Sequence, residues 1–203
     1  KIIREFQRNE SKIQLIQNDK NEGAAVSRNK AIGKSRGSII AFLDSDDYWS
    51  KEKLSKQIHF MVSNQFAFTY TSYDKIDISN QIIGKVEAPK KVDYQSLLKT
   101  CSIGCLTVMY DVSKLGKIYM PLIRKRQDYA LWLKILKKID FGYGLNDSLA
   151  KYRVRKDSIS GYKFSAAKYQ WKIYSKVEKL GFFRAFYYFI SYTFHGFIKT
   201  YFK

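Results

Sequence analysis

Histidine and cysteine are scarce in this 203-residue chain, with two of each, and its 18 acids face 37 lysines and arginines. Structural zinc takes four ligands at characteristic spacings, whereas Cys101 and Cys105 form a lone Cys-x3-Cys pair with neither His59 nor His195 near it. The two thiols therefore read as buried or idle, and so few of them point to a reducing compartment. No secretory leader is visible at the start of the sequence, where Lys1-Ile-Ile-Arg-Glu is charged and lacks a long apolar region. The cytoplasm is the expectation. There is no internal repeat and no low-complexity tract. The shortage of acid leaves a formal charge of +19, which favours polyanionic partners: nucleic acid, an anionic membrane surface or phosphorylated substrates. Zinc-finger spacing, an aromatic RNA-binding signature and a short recognition helix with a basic face are all missing, which makes nucleic acid the weaker choice.

What is present, at 45% hydrophobic residues, suffices for one core and a small appendage. The most informative stretch is residues 39–49, where the apolar run Ile39-Ile40-Ala41-Phe42-Leu43 ends in Asp44-Ser45-Asp46-Asp47. Such a run reads as a strand buried on both faces, as in a parallel sheet. Open α/β sheets bind ligands beyond the carboxyl ends of their strands, where these acids fall. Asp-x-Asp suits a hard cation, magnesium or manganese, shared with a substrate's phosphates. The plainer alternative is that Asp46, Asp47 and Ser50 end the strand and cap the next helix.

Periodicity places the other elements. Ile2, Ile3 and Phe6 share a helix face ahead of a strand at Ile13 to Ile16. After Ser50, the spacing of Leu54, Ile58, Met61 and Val62 predicts a helix buried on that side, with Lys51, Lys53 and Gln57 opposite. Phe66, Phe68 and Tyr70 alternate as a strand to about Tyr73. Residues 76–78 and 82–86 form a hairpin around Ser79-Asn80-Gln81, and Leu106 to Tyr110 is a further strand. Tyr129, Trp132, Leu133 and Leu136 define an amphipathic helix that Asp128 begins, as an N-cap if nothing more.

Three blocks in order are distinctive: Asn21-Glu22-Gly23-Ala24-Ala25-Val26-Ser27-Arg28-Asn29-Lys30-Ala31-Ile32-Gly33 with the acid-bearing strand after it, Arg126-Gln127-Asp128-Tyr129-Ala130-Leu131-Trp132-Leu133, and Leu149 to Ser160 with Tyr152-Arg153 and Ser158. Together they resemble family 2 glycosyltransferases, inverting enzymes of GT-A fold, over roughly residues 12 to 160. The nearest likeness is to bacterial transferases of teichuronic-acid and O-antigen type. The resemblance implies an α/β, Rossmann-like three-layer sheet for residues 1–160, with residues 161–203 as C-terminal helices. It implies a sugar transferred from a nucleotide-diphosphate donor, a UDP-sugar foremost, to a glycan or polyprenyl-linked acceptor.

Residue by residue, the family pattern makes Asp128 the catalytic base, taking the acceptor hydroxyl's proton. Asp46 becomes the direct ligand of Mn2+ or Mg2+, and Asp44 contacts the ribose or a metal-bound water. Arg28 offsets the leaving diphosphate's charge, with Asn21, Gly23, Ser45, Arg153 and Ser158 also on the donor side. Asp47, Trp49, Gln127 and Trp132 line the acceptor side. Two departures stand out, Gln127 where the family more often has Glu, and Arg155 where it has His. Family members also begin with a further strand, helix and strand for which nothing here corresponds, so the chain reads as a fragment or a truncated product.

Beyond Gly161, Ala166, Tyr169, Ile173 and Val177 predict a helix ending near Gly181. Residues 182–202 hold eleven aromatics beside Arg184 and Lys199. The stretch is long enough to span a membrane, but its polar interruptions favour a helix lying at an anionic interface, peripheral at the inner face of the plasma membrane. Packing on the domain or on a second subunit, giving an oligomer, is the alternative. An inactive nucleotide- or glycan-binding remnant, a nucleotidyltransferase and a basic nucleic-acid-binding protein are the other function classes that the residues leave open.

Overall fold

The computed structural model describes residues 2–155 and 163–201. In chain order it contains α1 (Ile2–Asn9), α2 (Ala24–Lys34), β1 (Ile39–Ala41), β2 (Tyr48–Trp49), α3 (Lys53–Ser63), β3 (Phe68–Ile76), β4 (Ile82–Val86) and β5 (Lys91–Val92). There follow α4 (Tyr94–Lys99), β6 (Met109–Asp111), α5 (Val112–Leu115), α6 (Gln127–Leu136), β7 (Gly142–Arg153), α7 (Lys163–Lys172) and α8 (Phe182–Tyr201). A 3-10 turn, Cys105–Thr107, precedes β6, and a π-helical turn, Ile173–Val177, follows α7.

All seven strands join one mixed sheet in the order β1-β6-β3-β7-β2, with β4 on β3 and β5 on β7. The parallel pairing expected of the acid-bearing strand is found instead between β3 and β7. β1 pairs antiparallel with β6, Ile40 opposite Tyr110, and no strand among the described residues lies on its other side. Its apolar run continues because that outer side faces a groove of about 340 Å³ lined by Ile32, Phe42 and Leu43, not because strands enclose it.

The alternation of β3 sets the layers. Phe68 points toward Trp132 of α6, ring centroids 5.6 Å apart, while Thr69 on the opposite face meets Gln57 of α3 at 3.2 Å. Helices thus cover both faces. The Phe68 and Tyr70 side carries the main core, with Phe42, Leu97, Leu98, Tyr129 and Trp132 buried there. Ile173, Tyr174, Ala185 and Tyr188 belong to the same core, so the C-terminal helices pack onto the sheet domain.

Three local expectations are corrected. Helix α3 is turned over: Lys53, Gln57 and Met61 are buried while Leu54, Ile58 and Val62 are exposed. The sheet face it meets presents Thr69 and Thr71, and Gln57 Nε2 donates to Thr69 Oγ1 and to the Thr107 carbonyl at 2.9 Å, so polar surface packs on polar surface. Residues 13–16 form no strand, since a strand needs a ladder and none of the described strands pairs with them. The strand placed at Leu106 starts only at Met109, because Thr107 folds back to the Gly104 carbonyl through its N–H at 3.0 Å and its hydroxyl at 2.7 Å. The predicted hairpin is present as β3 and β4, with Ile76 opposite Ile82 and Asn80 left-handed at φ 65°.

Candidate active site

Helix α2 opens on a turn in which Asn21 Oδ1 accepts from the Gly23 N–H at 3.1 Å, and Gly23 sits at φ 83°, a conformation that glycine adopts freely. Both residues are exposed, and no side chain caps the helix. One turn further, Arg28 donates to the carboxylate of Asp44, which follows β1. Burial works against the charge on Arg28, but Cys105, Asp44 and Asp128 outweigh it and hold the guanidinium above its ordinary value. Four residues far apart in sequence are therefore electrostatic neighbours.

The acids occupy a tight turn, with the Asp47 N–H on the Asp44 carbonyl at 3.1 Å. Ser45 is exposed at its tip. Asp46 Oδ2 lies 3.5 Å from Arg155 Nε. Asp47 is buried and its Oδ1 accepts the Arg153 N–H at 3.0 Å. Arg153 itself is a brace: its guanidinium donates to the carbonyls of Asp46 at 3.2 Å and Asp77 at 2.9 Å, to the Tyr48 hydroxyl at 2.9 Å and to Asn80 Oδ1 at 2.7 Å. The donor-side contact implied for Arg153 is thus replaced by ties that hold the acid turn to the β3–β4 hairpin. The cation of this segment that faces the acids is Arg155, half-exposed beside Asp46. Ser158 lies outside the described residues.

On the far side, α6 begins at Gln127, and the residue before it, Arg126, is left-handed at φ 61°. Asp128 is inside the first turn rather than at the cap, and it is half-exposed. Gln127 is buried with its Oε1 lacking a hydrogen-bond partner. Trp132 does not line the acceptor side. It is fully buried between Phe42 and Phe68, because α6 turns that position inward to the sheet. Trp49 is half-buried, its Nε1 donating to the Leu106 carbonyl at 2.7 Å and its ring 4.9 Å from Lys53 Nζ.

Two neighbours escaped the sequence reading. Cys105 sits among Asp128, Arg28, Asp44 and Asp47, and burial first, then the acids, push its thiol well above its ordinary value. Arg126 donates to Gln170 Oε1 at 2.6 Å and to the Tyr192 hydroxyl, tying the start of α6 to α7 and α8. Its position directly before Gln127-Asp128 was the available signal.

The donor set fits a magnesium or manganese ion. Asp44 and Asp46 offer hard oxygens from one turn, half-open to solvent, which leaves the remaining positions to water and a diphosphate. Each carboxylate is paired with an arginine, and among the described residues no group of three or more His, Cys, Asp or Glu side chains forms a metal site by itself.

Burial, then the fields of Asp46 and Asp44, push Asp47 up to about 6 despite the Arg153 N–H. The folded state thus favours the protonated acid. Its stability contribution is complete below the ordinary value of 3.8 and is lost as pH rises through about 6. Asp47→Asn, which keeps the acceptor for Arg153, is expected to be more stable than the parent at pH 7 by up to roughly 3 kcal/mol. The advantage should vanish by pH 4, as read from urea midpoints across that range.

Comparison with known proteins identifies the family. The model of the family described as Glycosyl transferase family 2 matches residues 1–115. TuaG of Bacillus subtilis, named as a glycosyltransferase of teichuronic acid biosynthesis, is 43% identical over 95% of this chain and 77% of its own. WfgD of Escherichia coli, named as a UDP-Glc:α-D-GlcNAc-diphosphoundecaprenol β-1,3-glucosyltransferase, is 43% identical over 81% of this chain and 64% of its own. The fold is similar to that of Staphylococcus aureus TarS residues 1–349 in complex with UDP-GlcNAc, with a TM-score of 0.63, 19% identity, and coverage of 86% of this chain and 54% of that one. Among the described residues no helix is long and apolar enough to cross a membrane. With its family model matching more than half of its length and TuaG alike across nearly all of it, the chain belongs to glycosyl transferase family 2.

Proposed function

We propose that this chain transfers a sugar, with inversion, from a UDP-sugar to a polyprenyl-diphosphate-linked glycan in the assembly of a cell-surface polysaccharide. Residues 1–160 would carry the chemistry, working at the inner face of the plasma membrane. The observation that carries the reading is the convergence of Asp44 and Asp128, from separate parts of the chain, on Arg28 of α2. The lipid-linked acceptor is supported by the name of WfgD, and the uridine donor by the ligand of TarS.

In this reading Asp128 removes the acceptor hydroxyl's proton as that oxygen bonds to the anomeric carbon and the carbon–oxygen bond to the diphosphate breaks. The orphan Oε1 of Gln127 accepts a hydrogen bond from the acceptor sugar. Arg28 and Arg155 face the leaving diphosphate, fixed cations where negative charge develops. Asp46 and Asp44 would hold Mg2+ or Mn2+, which supplies charge neutralisation to the diphosphate. Asp47 and Trp49 shape the acceptor side from beneath, while Asn21, Gly23 and Ser45 border the donor.

The test is a thermal-shift titration with UDP, GDP and CMP, each with and without manganese. Stabilisation by UDP that grows with the metal, about 2–3 kcal/mol at a hundredfold excess over the dissociation constant, is the expected result. Stabilisation by another base would correct the donor. No shift with any of them would favour an inactive remnant.

A further inference from the structure

Helix α8 is apolar on two sides. Its inner side packs into the core through Ala185 and Tyr188 and reaches Arg126 through Tyr192. At 100° per residue, Phe182, Phe183, Phe186, Tyr187, Ile190 and Phe194 fall in one arc of about 140° on the opposite side, and all six are exposed, Phe183 at 86%. No charged side chain interrupts this arc, since Arg184 lies outside it. A globular helix with a solvent-facing side normally presents charge there.

The surroundings select the occupant. Residues 161–203 contain eight lysines and arginines against a single acid, Glu178, whose carboxylate is taken up by Lys137 and the Tyr94 hydroxyl. Trp171 seats the preceding helical segment against α8, with its ring 6.1 Å from Phe182 and 5.5 Å from Phe189. Lys168 and Lys172 are exposed on that segment, as are Lys176 and Lys179 further along the chain. A second copy seated on this face would bring two strongly cationic surfaces together. A protein-free anionic lipid surface reverses the sign of that term, and phenylalanine and tyrosine rings suit the headgroup boundary.

We propose that the outer face of α8, with the exposed lysines of the helical segment packed against it, docks on an anionic membrane surface. The helix lies in the interface plane, consistent with the lack of a spanning segment among the described residues. Arg126 links Tyr192 to the start of α6, so α8 is tied to the helix that carries Asp128. For a lipid-linked acceptor, a point that rests on the proposed function, docking would hold the helix that carries the base close to the lipid surface.

The experiment is sedimentation of the 203-residue chain with vesicles of phosphatidylcholine alone or with one third phosphatidylglycerol, alongside analytical ultracentrifugation without lipid. Expected are binding to the anionic vesicles, loss of that binding in 0.5 M salt, and at least about tenfold weaker binding for Phe183→Glu/Phe186→Glu and for Lys172→Glu/Lys176→Glu. Circular dichroism should show both variants folded, and sugar transfer to a water-soluble acceptor should be unchanged. Absence of binding to anionic vesicles, or undiminished binding by the folded aromatic variant, would overturn the proposal. So would a lipid-independent dimer that the aromatic variant dissociates. Because vesicle binding needs no nucleotide or acceptor, a chain that binds lipid but transfers no sugar would retain this inference and lose the proposed function.

Discussion

Asp128→Asn is expected to leave nucleotide-dependent thermal stabilisation intact while lowering the rate of sugar transfer by about a thousandfold, the middle of the range for a positioned general base. The amide is isosteric, so α6 and the buried Gln127 beside it keep their places. It cannot accept the hydroxyl proton. Loss of the negative charge in the first helical turn costs only about 0.3–1 kcal/mol of favourable interaction with the helix dipole, a small shift in melting temperature. Single-turnover transfer together with UDP titration separates the two effects. A variant that still transfers at more than a tenth of the parental rate would remove Asp128 from its role. Equal loss of transfer and of UDP stabilisation would make Asp128 part of the donor site instead, reached through the Arg28 field that both Asp44 and Asp128 sustain.

The local elements were legible because their signals are local. The hairpin at Ser79 to Gln81 and the helix after Gln127 depend on residues within a few positions of one another, and each is where the spacing put it. What escaped depends on partners distant in sequence. β7 is the strand that joins β3, β2 and β5, yet Gly142-Tyr143-Gly144 carries no apolar alternation. Its glycines are required by contact: a Cβ at 144 would stand 2.2 Å from the Pro89 carbonyl oxygen, and one at 142 would stand 2.5 Å from Phe68. Paired glycines ahead of an apolar stretch mark such close approach and could have found the strand. The same limit explains Trp132, assigned to the acceptor side by its place after Asp128 but carried into the core by the inward turn of α6. Between Arg153 and Arg155, both plausible cations in one dimension, the β3–β4 hairpin decides by supplying acceptors for the first.

The reversal of α3 leads to the second large effect. Lys53 is fully buried, without a carboxylate partner, donating to Gln57 Oε1 and to the Thr107 carbonyl at 3.3 Å. Burial brings its ammonium down to about 7 from an ordinary value of 10.5. The folded state therefore prefers the neutral amine, and the associated stability is present above 10.5 and lost as pH falls through about 7. Below that point the buried cation costs up to roughly 5 kcal/mol. Lys53→Met keeps the volume and removes the charge. It also leaves Gln57 Oε1 without its donor, at about 1–3 kcal/mol, whereas the Thr107 carbonyl still accepts from Gln57 Nε2. The variant should thus be about 2–3 kcal/mol more stable than the parent at pH 6, with the difference shrinking and changing sign by about pH 10. Urea unfolding at pH 6, 8 and 10 checks this, and a difference that is flat across the range would show that Lys53 does not titrate with folding. If the variant is more stable and yet slower in transfer, the cation is retained for the ring of Trp49 and the Cys105–Thr107 turn, which it contacts from below the acid-lined site, and not for the stability of the fold.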